Sequence, residues 1–366
     1  MTEATQAATA FDFGAPITAV ESYGGGLIND TFRVLVAGRA DPVAILQRIN
    51  TRVFPEPRRI MENLRVLTRH VAARQGALPA GARRLLIPAA LPARTGADYH
   101  EDTAGKFWRA LEFIPNSISH ATIDGPARAG EVGFALGRFH ALVHDLDPAQ
   151  LHITRKGFHN TPVYLDRYQA VLRGLATRPD SASARFCFDF VASHHAGVDA
   201  LEQAKARGDL PLRIIHGDPK IDNVLFDRVT DRAISLIDLD TVQPALAHYD
   251  LGDCLRSACN PAGESPPRAE LARFDLPTAR AILTHYFAET RGLLTAAELA
   301  QLYDAIRLIP FELGLRFFTD YLEGNPYFGV QWPEHNLLRA ETQFRLAASI
   351  EAQTAAIHEL ITDLTG

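Results

Sequence analysis

The groups best suited to chemistry lie close together in the middle of this 366-residue chain. The stretch His216–Asn223 reads HGDPKIDN and contains Asp218, Lys220 and Asn223, and Asp238 follows in the segment IDLD. If they lie about 5 Å apart in an effective dielectric of ~20, the carboxylates of Asp218 and Asp238 would repel each other by about 3 kcal/mol. A hard divalent cation relieves such repulsion, and carboxylate and amide oxygens suit Mg²⁺. The stretch therefore predicts a site that holds Mg²⁺.

The order of these groups matches an arrangement used for phosphoryl transfer. In kinases a catalytic-loop Asp accepts the proton of the attacking hydroxyl, an Asn five positions later holds Mg²⁺, and another Asp after the next hairpin bridges the metal ions. Asp218, Asn223 and Asp238 follow that order, and Lys220 stands where such loops direct a cation toward the phosphoryl group. We expect Asp218 and Lys220 to be catalytic and Asn223 and Asp238 to bind metal. In the alternative, the pattern arises by chance and Asp238 caps a turn.

A glycine cluster near the N-terminus is a candidate phosphate-binding turn. Gly24, Gly25 and Gly26 lie between two strand-like segments, and Asn29 and Thr31 follow them. The cluster is not a Walker A loop, which opens a helix and requires a Lys followed by Ser or Thr. Backbone amides of the turn and the Asn29 and Thr31 side chains could donate to phosphates. The alternative is an ordinary tight hairpin turn.

A phosphate site of this type also needs a cation on the third strand, in VAILQRIN. This segment has no lysine and offers Gln47 or Arg48. Because side chains alternate along a strand, only one of the two can face the cleft. We favour Arg48, with Glu62 of the following helical segment as its partner acid or, alternatively, as a solvated helix charge.

The elements that must position these residues fall into two units. Strand-like patterns in residues 17–49 precede a helical pattern over 55–74, with further short strands before a break at Pro115. The remainder is mostly helical, with short β segments around the candidate catalytic stretch. We predict an α+β, two-lobed, protein-kinase-like fold: a small antiparallel sheet lobe over 1–114 that binds nucleotide, and a larger helical lobe over 115–366. Residues 1–12 are expected to fray.

Composition limits the possible partners. The 37 basic and 43 acidic residues give a net charge of −6, which argues against a nucleic-acid partner. The absence of a long apolar run argues against a membrane partner, and the start of the sequence lacks a leader pattern, so we expect a cytoplasmic protein. Three cysteines, Cys187, Cys254 and Cys259, are too few for a disulfide framework and form no CxxC pair for zinc.

Taken together, HGDPKIDN, IDLD and the glycine turn resemble the aminoglycoside phosphotransferase and choline kinase-like superfamily, which has a protein-kinase-like fold and acts on small molecules. Five longer segments resemble its N-acetylhexosamine 1-kinase branch: GGGLINDTFRV, LQRINTRVFPEPRRIMENL, HGDPKIDNVLFD, LIDLDTVQPALAHYDLGD and LRFFTDYLEGNPYF. The resemblance extends from about Tyr23 to Leu364.

The resemblance implies further site residues. The backbone near Glu112 to Ile114 would contact the adenine of ATP, and Asp250 would brace the catalytic loop through backbone amides. Arg316 and Tyr327 would help bind the acceptor, since sugars are held by hydrogen bonds and aromatic faces. The aromatic residues nearby could instead be helix core.

Two departures from protein kinases point to a small acceptor. Gly217 replaces the Arg that reads a phosphorylated activation loop, and the short span from Asp238 to Tyr249 has no room for a peptide platform. The expected activity is ATP- and Mg²⁺-dependent phosphorylation of a sugar, at the anomeric hydroxyl of an N-acetylhexosamine or related hexose. Two alternatives stay open: an aminoglycoside, choline or amino-alcohol kinase, and a nucleotide-binding pseudoenzyme. The sequence also leaves ATP versus GTP open.

Overall fold

The N-terminal part of the chain forms an antiparallel sheet and one long helix. The computed structural model describes residues 2–24 and 28–366. The elements of this part are α1 (Glu3–Ala8), β1 (Ile17–Ser22), β2 (Asp30–Val36), β3 (Ala44–Arg48), α2 (Pro57–Gly76), β4 (Ala90–Leu91), β5 (His100–Glu101) and β6 (Phe107–Glu112). The strand order is β1-β2-β3-β6-β4, with β5 also paired to β6. The predicted three-strand start and the following helix are thus confirmed.

The first helix, α1, corrects the expectation that residues 1–12 fray. The Thr2 hydroxyl caps it by accepting from the Thr5 N–H at 3.2 Å. Ala4, Ala8 and Phe11 are buried against one face of the sheet. Their burial explains the order of this segment, because small alanine side chains let the helix approach the strands closely.

Alternation along β3 assigns its side chains to two different faces. Ala44 and Leu46 belong to the cluster that α1 covers, whereas Ile45 packs against the larger core that contains α2. Gln47 therefore shares the α2 side with Ile45, and Arg48 shares the α1 side with Leu46.

After β6 the chain becomes mostly helical, as expected. The helices are α3 (Gly125–Val143), α4 (Thr161–Gly174), α5 (Ala182–His194), α6 (Ala200–Arg207), α7 (Ala247–Ala258), α8 (Leu276–Glu289), α9 (Ala296–Ala300), α10 (Leu302–Leu322), α11 (His335–Glu351) and α12 (Thr354–Thr365). The strands are β7 (Ser117–Ile118), β8 (Arg213–Ile215), β9 (Val224–Asp227), β10 (Ala233–Leu236) and β11 (Gln243–Ala245). They form a β10-β9-β7 sheet and a β11-β8 pair.

Strand pairing changes near the predicted lobe boundary. β6 still pairs within the N-terminal sheet, whereas β7 pairs with β9 beside the catalytic stretch. The largest hydrophobic cluster nevertheless contains residues from both sides, including Leu67 of α2 and Phe139 of α3. The division into 1–114 and 115–366 therefore stays a prediction.

Helices α3 and α8 pack with their backbones unusually close. A Cβ added at Gly133 would lie 2.0 Å from the carbonyl oxygen of Ile282, so this crossing requires glycine. All three cysteines are buried free thiols. No helix in the described residues is long and apolar enough to span a bilayer.

Candidate active site

The catalytic loop, His216–Asn223, is held from one side by a single carboxylate. The backbone N–H groups of His216 and Gly217 donate to Oδ2 and Oδ1 of Asp250, each at 2.7 Å. Asp250 is fully buried, and Nε2 of His140 lies 2.9 Å from its Oδ2. The expectation that Asp250 braces the loop through backbone amides is confirmed.

The residue before the expected base must be glycine for two reasons. Gly217 has a φ of +87°, which side-chain-bearing residues rarely adopt. A Cβ at this position would also lie 2.6 Å from the carbonyl oxygen of Thr241. This conformation lets the chain turn sharply between β8 and Asp218.

Asp218, Lys220 and Asn223 come together at the end of this turn. The Lys220 ammonium donates to Oδ2 of Asp218 at 2.7 Å. The Asn223 amide donates to the Asp218 carbonyl at 2.7 Å and to Oδ2 at 3.2 Å. Burial alone would lower the pKa of Lys220, but the charges of Asp218 and Asp238 raise it, so Lys220 stays cationic.

Asp238 lies beside this group. The N–H of Ile237 donates to the Asn223 carbonyl at 2.9 Å, and Nε2 of His216 lies 3.0 Å from the Ile237 carbonyl oxygen. Asp238 is exposed to solvent as a residue, although protein atoms surround its carboxylate closely enough to desolvate it. This desolvation, followed by the charge of Asp240, raises the pKa of Asp238 to about 6. Crowded carboxylates of this kind attract cations.

The donor chemistry of Asn223 and Asp238 fits a hard divalent cation. The Asn223 Nδ2 is committed to Asp218, which leaves its Oδ1 as the group available to a metal ion. No cluster of three or more His, Cys, Asp or Glu side chains that could hold a metal ion occurs among the described residues. An Mg²⁺ ion held here would therefore take its other ligands from nucleotide phosphates and water.

The candidate phosphate turn is described only in part. Gly24 has a φ of +74°, whereas Gly25 and Gly26 lie outside the described residues. The Asn29 amide donates to Oδ2 of Asp240 at 2.7 Å, and its Oδ1 accepts from a backbone N–H at 2.9 Å. The Thr31 hydroxyl accepts from Gln47 at 3.2 Å. The turn is thus joined to the segment that follows Asp238.

The expected strand cation, Arg48, faces away from this cleft. Its guanidinium pairs with Asp30 at 2.5 Å and with Glu3 of α1 at 2.9 Å. Strand alternation places Gln47 on the cleft side instead. Glu62, its expected partner, lies at the surface with its carboxylate 2.7 Å from Nε2 of His152.

The cation on the cleft side comes from the neighbouring strand β6. Arg109 is 1% exposed, and its Nε and Nη2 donate to Oε1 of Gln47 at 3.0 and 2.7 Å. Its Nη2 also lies 2.5 Å from Oδ1 of Asp240, an ion pair without regular hydrogen-bond geometry. Sequence reasoning missed Arg109 because it searched only the third strand.

The predicted adenine contacts, Glu112 and Ile114, lie at the end of β6. The N–H of Glu112 donates to the Ala89 carbonyl at 2.9 Å. The Ile114 carbonyl accepts from Ser117 at 2.7 Å, and its N–H has no hydrogen-bond partner among the described residues. Their role toward a nucleotide base stays a prediction.

Arg316 lies in a cluster of aromatic rings. Its guanidinium carbon is 5.3 Å from the ring centre of Phe158, 5.0 Å from Tyr164 and 5.5 Å from Phe328. Its Nη1 is 3.8 Å from Oε1 of Glu312, one turn earlier on α10. These contacts hold Arg316 as a partly buried cation among aromatic rings.

Tyr327 belongs to the same cluster. Its hydroxyl accepts from Nη2 of Arg155 at 3.0 Å, and the Arg155 guanidinium lies 4.5 Å from the ring centre of Phe158. Asp320 shapes this end of α10 by accepting from the N–H groups of Tyr327 and Phe328 at 2.9 and 3.0 Å. The two predicted acceptor residues, Arg316 and Tyr327, are therefore brought together.

Sequence reasoning did not select a second pair of charges near the catalytic loop. Asp253 accepts from Nε of Arg256 at 2.7 Å, and both side chains are buried. The other carboxylate oxygen, Oδ2, has no hydrogen-bond partner among the described residues. Burial acts to raise the pKa of Asp253, but the charge of Arg256, followed by those of His159 and Lys220, lowers it, so this carboxylate stays ionised. Its one-turn spacing from Arg256 was the available sequence signal.

Comparison with solved structures identifies the fold. A microcompartment-associated aminopropanol kinase has a TM-score of 0.64 and 17% identity over 96% of this chain and 97% of its own. An aminoglycoside phosphotransferase from Alicyclobacillus acidocaldarius has a TM-score of 0.64 and 15% identity over 100% and 98%. The GDP complex of an aminoglycoside 2′-phosphotransferase has a TM-score of 0.58 and 15% identity over 94% and 99%. The fold is therefore the kinase-like fold of small-molecule phosphotransferases.

The family assignment rests on the sequence. The family model described as "APH: Phosphotransferase enzyme family" matches residues 19–286. The match covers both the N-terminal sheet and the catalytic loop, and the chain belongs to this family. It is a small-molecule phosphotransferase of the aminoglycoside phosphotransferase and choline kinase type, with an alcohol group as acceptor.

Proposed function

We propose that this protein transfers the γ-phosphoryl group of ATP to a hydroxyl of an uncharged sugar. The acceptor group is the anomeric hydroxyl of an N-acetylhexosamine or a related hexose, and the products are a sugar 1-phosphate and ADP. The proposal includes Mg²⁺ and a cytoplasmic location, where ATP is available.

The observation that carries this proposal is the charge pairing around the acceptor side of the cleft. Asp218 pairs with Lys220, Asp253 with Arg256, and Glu312 with Arg316. Arg155 adds a further cation beside Tyr327.

Such pairing disfavours a cationic acceptor. A protonated amine bound next to Arg155, Arg256 and Arg316 would experience repulsion, and each of the three carboxylates already has a positive partner. An uncharged polyol meets no such penalty, since its hydroxyls can accept from guanidinium groups and can also donate to oxygen acceptors. For this reason we favour an uncharged sugar over an aminoglycoside or an amino alcohol, and the acceptor panel below tests all three.

The proposed chemistry assigns each catalytic-loop residue a task. Asp218 accepts the proton of the acceptor hydroxyl. At the same time the hydroxyl oxygen bonds to the γ-phosphorus, and the bond between that phosphorus and the leaving oxygen of ADP breaks. Lys220, which contacts Asp218, neutralises charge on the transferring group. Asn223 and Asp238 would hold Mg²⁺, which when bound neutralises phosphate charge and fixes phosphate orientation.

The proposed nucleotide contacts come from the N-terminal sheet. The N–H of Ile114 and the carbonyl of Glu112 would face the adenine, and the glycine turn with Thr31 would face the phosphates. Gln47 and Arg109, rather than Arg48, supply the polar groups on the cleft side of the sheet.

The deciding experiment measures ADP release over an acceptor panel, with Asp218→Asn as the inactive control. The panel contains N-acetylglucosamine, N-acetylgalactosamine, glucose, galactose, choline, ethanolamine, aminopropanol and kanamycin. We expect turnover with at least one uncharged sugar and a ³¹P signal of a sugar 1-phosphate. Turnover only with amines would contradict the sugar proposal. ATP binding without turnover on any acceptor would favour the pseudoenzyme.

A further inference from the structure

Besides Asp250, the catalytic loop has a second side-chain contact that its sequence pattern does not reveal. The loop before α4 brings His159 against the carbonyl of Gly217, with 3.1 Å between Nε2 and the carbonyl oxygen. The other ring nitrogen, Nδ1, lies 3.2 Å from Oε1 of Glu312 on α10. His159 thus joins the residue before Asp218 to the helix that carries Arg316.

Both partners of the imidazole are hydrogen-bond acceptors. A carbonyl oxygen cannot donate, and a neutral imidazole has only one N–H. A neutral His159 could therefore satisfy one contact only, unless Glu312 carried the proton. Two further donors surround the Glu312 carboxylate: Thr161 donates to its Oε2 at 3.1 Å, and Nη1 of Arg316 lies 3.8 Å from its Oε1. The imidazolium form of His159 satisfies both contacts.

The charged groups around His159 agree with this assignment. His159 is 5% exposed, and burial alone would lower its pKa, but Glu312 of α10 and Asp253 of α7 raise the pKa above its ordinary value. Arg316 acts in the opposite direction and more weakly. Two aromatic rings also lie beside the imidazole, with ring centres at 4.0 Å for Phe158 and 5.3 Å for Tyr249 of α7.

We propose that His159, as an imidazolium, is a positioning residue that fixes the peptide bond between Gly217 and Asp218 and links it to Glu312 and Arg316. We call this link from the Gly217 carbonyl through His159 to Glu312 the His159 bridge, and it rests on the proposed roles of Asp218 and Arg316. Asp250 holds the N–H of Gly217, and His159 holds its carbonyl. With both groups held, the orientation of Asp218 is coupled to the acceptor side of the cleft.

The backbone around His159 is built for this placement. His159 has a φ of +59°, and the Asn160 side chain that follows caps α4 by accepting from the N–H of Val163. The Phe158 ring packs against the imidazole, with 4.0 Å between the ring centres and an angle of 41° between the planes. The imidazole is therefore directed by local structure, not by the two hydrogen bonds alone.

The test compares pH profiles of kcat for wild type, Glu312→Gln and His159→Gln with the best acceptor of the panel. Glu312→Gln removes the charge that keeps His159 protonated, so the effect of burial, which lowers the pKa of His159, dominates. The neutral ring then has one N–H and can hold only one of its two hydrogen bonds. We expect kcat at pH 7.5 to fall about tenfold to a hundredfold, the cost of a slightly misplaced catalytic group. The ratio of variant to wild-type kcat should rise toward acid pH, where the imidazolium forms again.

His159→Gln should give the opposite trend. Gln can donate to the Gly217 carbonyl, but it cannot also donate to Glu312. The ratio of variant to wild-type kcat should be lowest at neutral pH and approach one at alkaline pH, where wild-type His159 loses its proton. The KM for ATP should stay within about twofold in both variants, because no nucleotide contact changes.

The protonation state of His159 can also be measured directly, without any acceptor substrate. In protein labelled with ¹⁵N-histidine, the signal missing from His159→Gln identifies His159. We expect two protonated ring nitrogens at pH 7.5 in wild type and one in Glu312→Gln. His248→Gln is the matched control, since Nε2 of His248 lies 2.8 Å from a backbone carbonyl oxygen but its Nδ1 has no partner among the described residues. It should leave the kcat profile unchanged.

The outcomes separate this inference from the proposed function. A neutral wild-type His159 at pH 7.5 overturns the His159 bridge, and so does a Glu312→Gln ratio that is the same at every pH. A panel in which only amines react overturns the sugar proposal. The pH dependence of the two kcat ratios and the ¹⁵N signals of His159 would still test the His159 bridge in that case.

Discussion

The guanidinium of Arg109 and the carboxylate of Asp240 form a buried ion pair between the N-terminal sheet and the segment that follows Asp238, with Nη2 and Oδ1 2.5 Å apart. The two side chains are 1% and 3% exposed. Asp240 also accepts from Asn29 at 2.7 Å, and Arg109 donates to Gln47. One carboxylate therefore connects the glycine turn, the sheet and the metal-binding segment.

Arg109→Met should destabilise the protein strongly. The substitution leaves Asp240 buried without its positive partner, and breaking a buried pair in this way costs about 3–5 kcal/mol. Urea unfolding followed by circular dichroism measures the loss. Arg48→Met is the matched control, because its ion pairs with Glu3 and Asp30 are exposed and such pairs contribute about 0–1 kcal/mol. Equal losses in the two variants would contradict the importance of the buried pair.

The error over Arg48 has a physical origin in the first residues of the chain. The sequence correctly indicates that only one of Gln47 and Arg48 faces the cleft, but it does not indicate which face of the strand is the cleft side. That face is defined by α1, which covers Leu46 and pairs with Arg48 through Glu3. The sequence pattern predicts that this alanine-rich segment frays, so it does not indicate that α1 covers the face of the sheet that carries Leu46 and Arg48.

Phe11→Ala should show that α1 is a stable part of the fold. Phe11 is 1% exposed and packs with the small residues of α1 against the sheet, and truncation of such a phenylalanine costs about 3–5 kcal/mol. Thermal and urea unfolding measure the effect. Phe13→Ala, at a residue only partly buried at the edge of the same cluster, should cost clearly less. A near-zero effect of Phe11→Ala would mean that the segment does not pack in solution.

Asp218→Asn should abolish most turnover while the protein still binds nucleotide. A general base contributes roughly 10²–10⁴ to kcat, and the amide keeps nearly the same shape. Stopped ADP-release assays give kcat, and calorimetry gives the nucleotide Kd. Asp222→Asn provides a control on an exposed carboxylate in the same loop and should keep most of the activity. Wild-type kcat in Asp218→Asn would exclude the assigned base.

Mg²⁺ should stabilise the nucleotide complex through Asp238. In the absence of a cation this carboxylate is destabilised by desolvation and by Asp240, so cation binding relieves a cost already present in the fold. With the Mg²⁺–ADP complex at about 100 times its Kd, linkage gives a stabilisation of about 2.7 kcal/mol. Melting temperatures with ADP, with and without Mg²⁺, should differ for wild type and coincide for Asp238→Asn. An unchanged Mg²⁺ effect in that variant would place the metal elsewhere.

The sequence was more informative about the catalytic loop than about the acceptor side. Asp218, Lys220 and Asn223 lie within six positions, so local spacing alone brings them together. The role of Asp250 follows instead from the family resemblance. Arg155 contacts Tyr327 from a loop far away in the sequence. No local pattern predicts such a contact, because it depends on how α4 and α10 pack.

Tyr327→Phe tests the acceptor side with little effect on folding. Tyr327 is 41% exposed, and removal of its hydroxyl leaves Arg155 accessible to solvent, so stability should change by less than about 0.5 kcal/mol. If the hydroxyl and Arg155 together orient a sugar, the KM for the acceptor should rise about fivefold to tenfold, the worth of one hydrogen bond, while the KM for ATP stays constant. Tyr321→Phe, near the end of α10, is the matched control and should leave both constants unchanged. A rise in the KM for ATP, or equal effects of the two variants, would contradict an acceptor site at Tyr327.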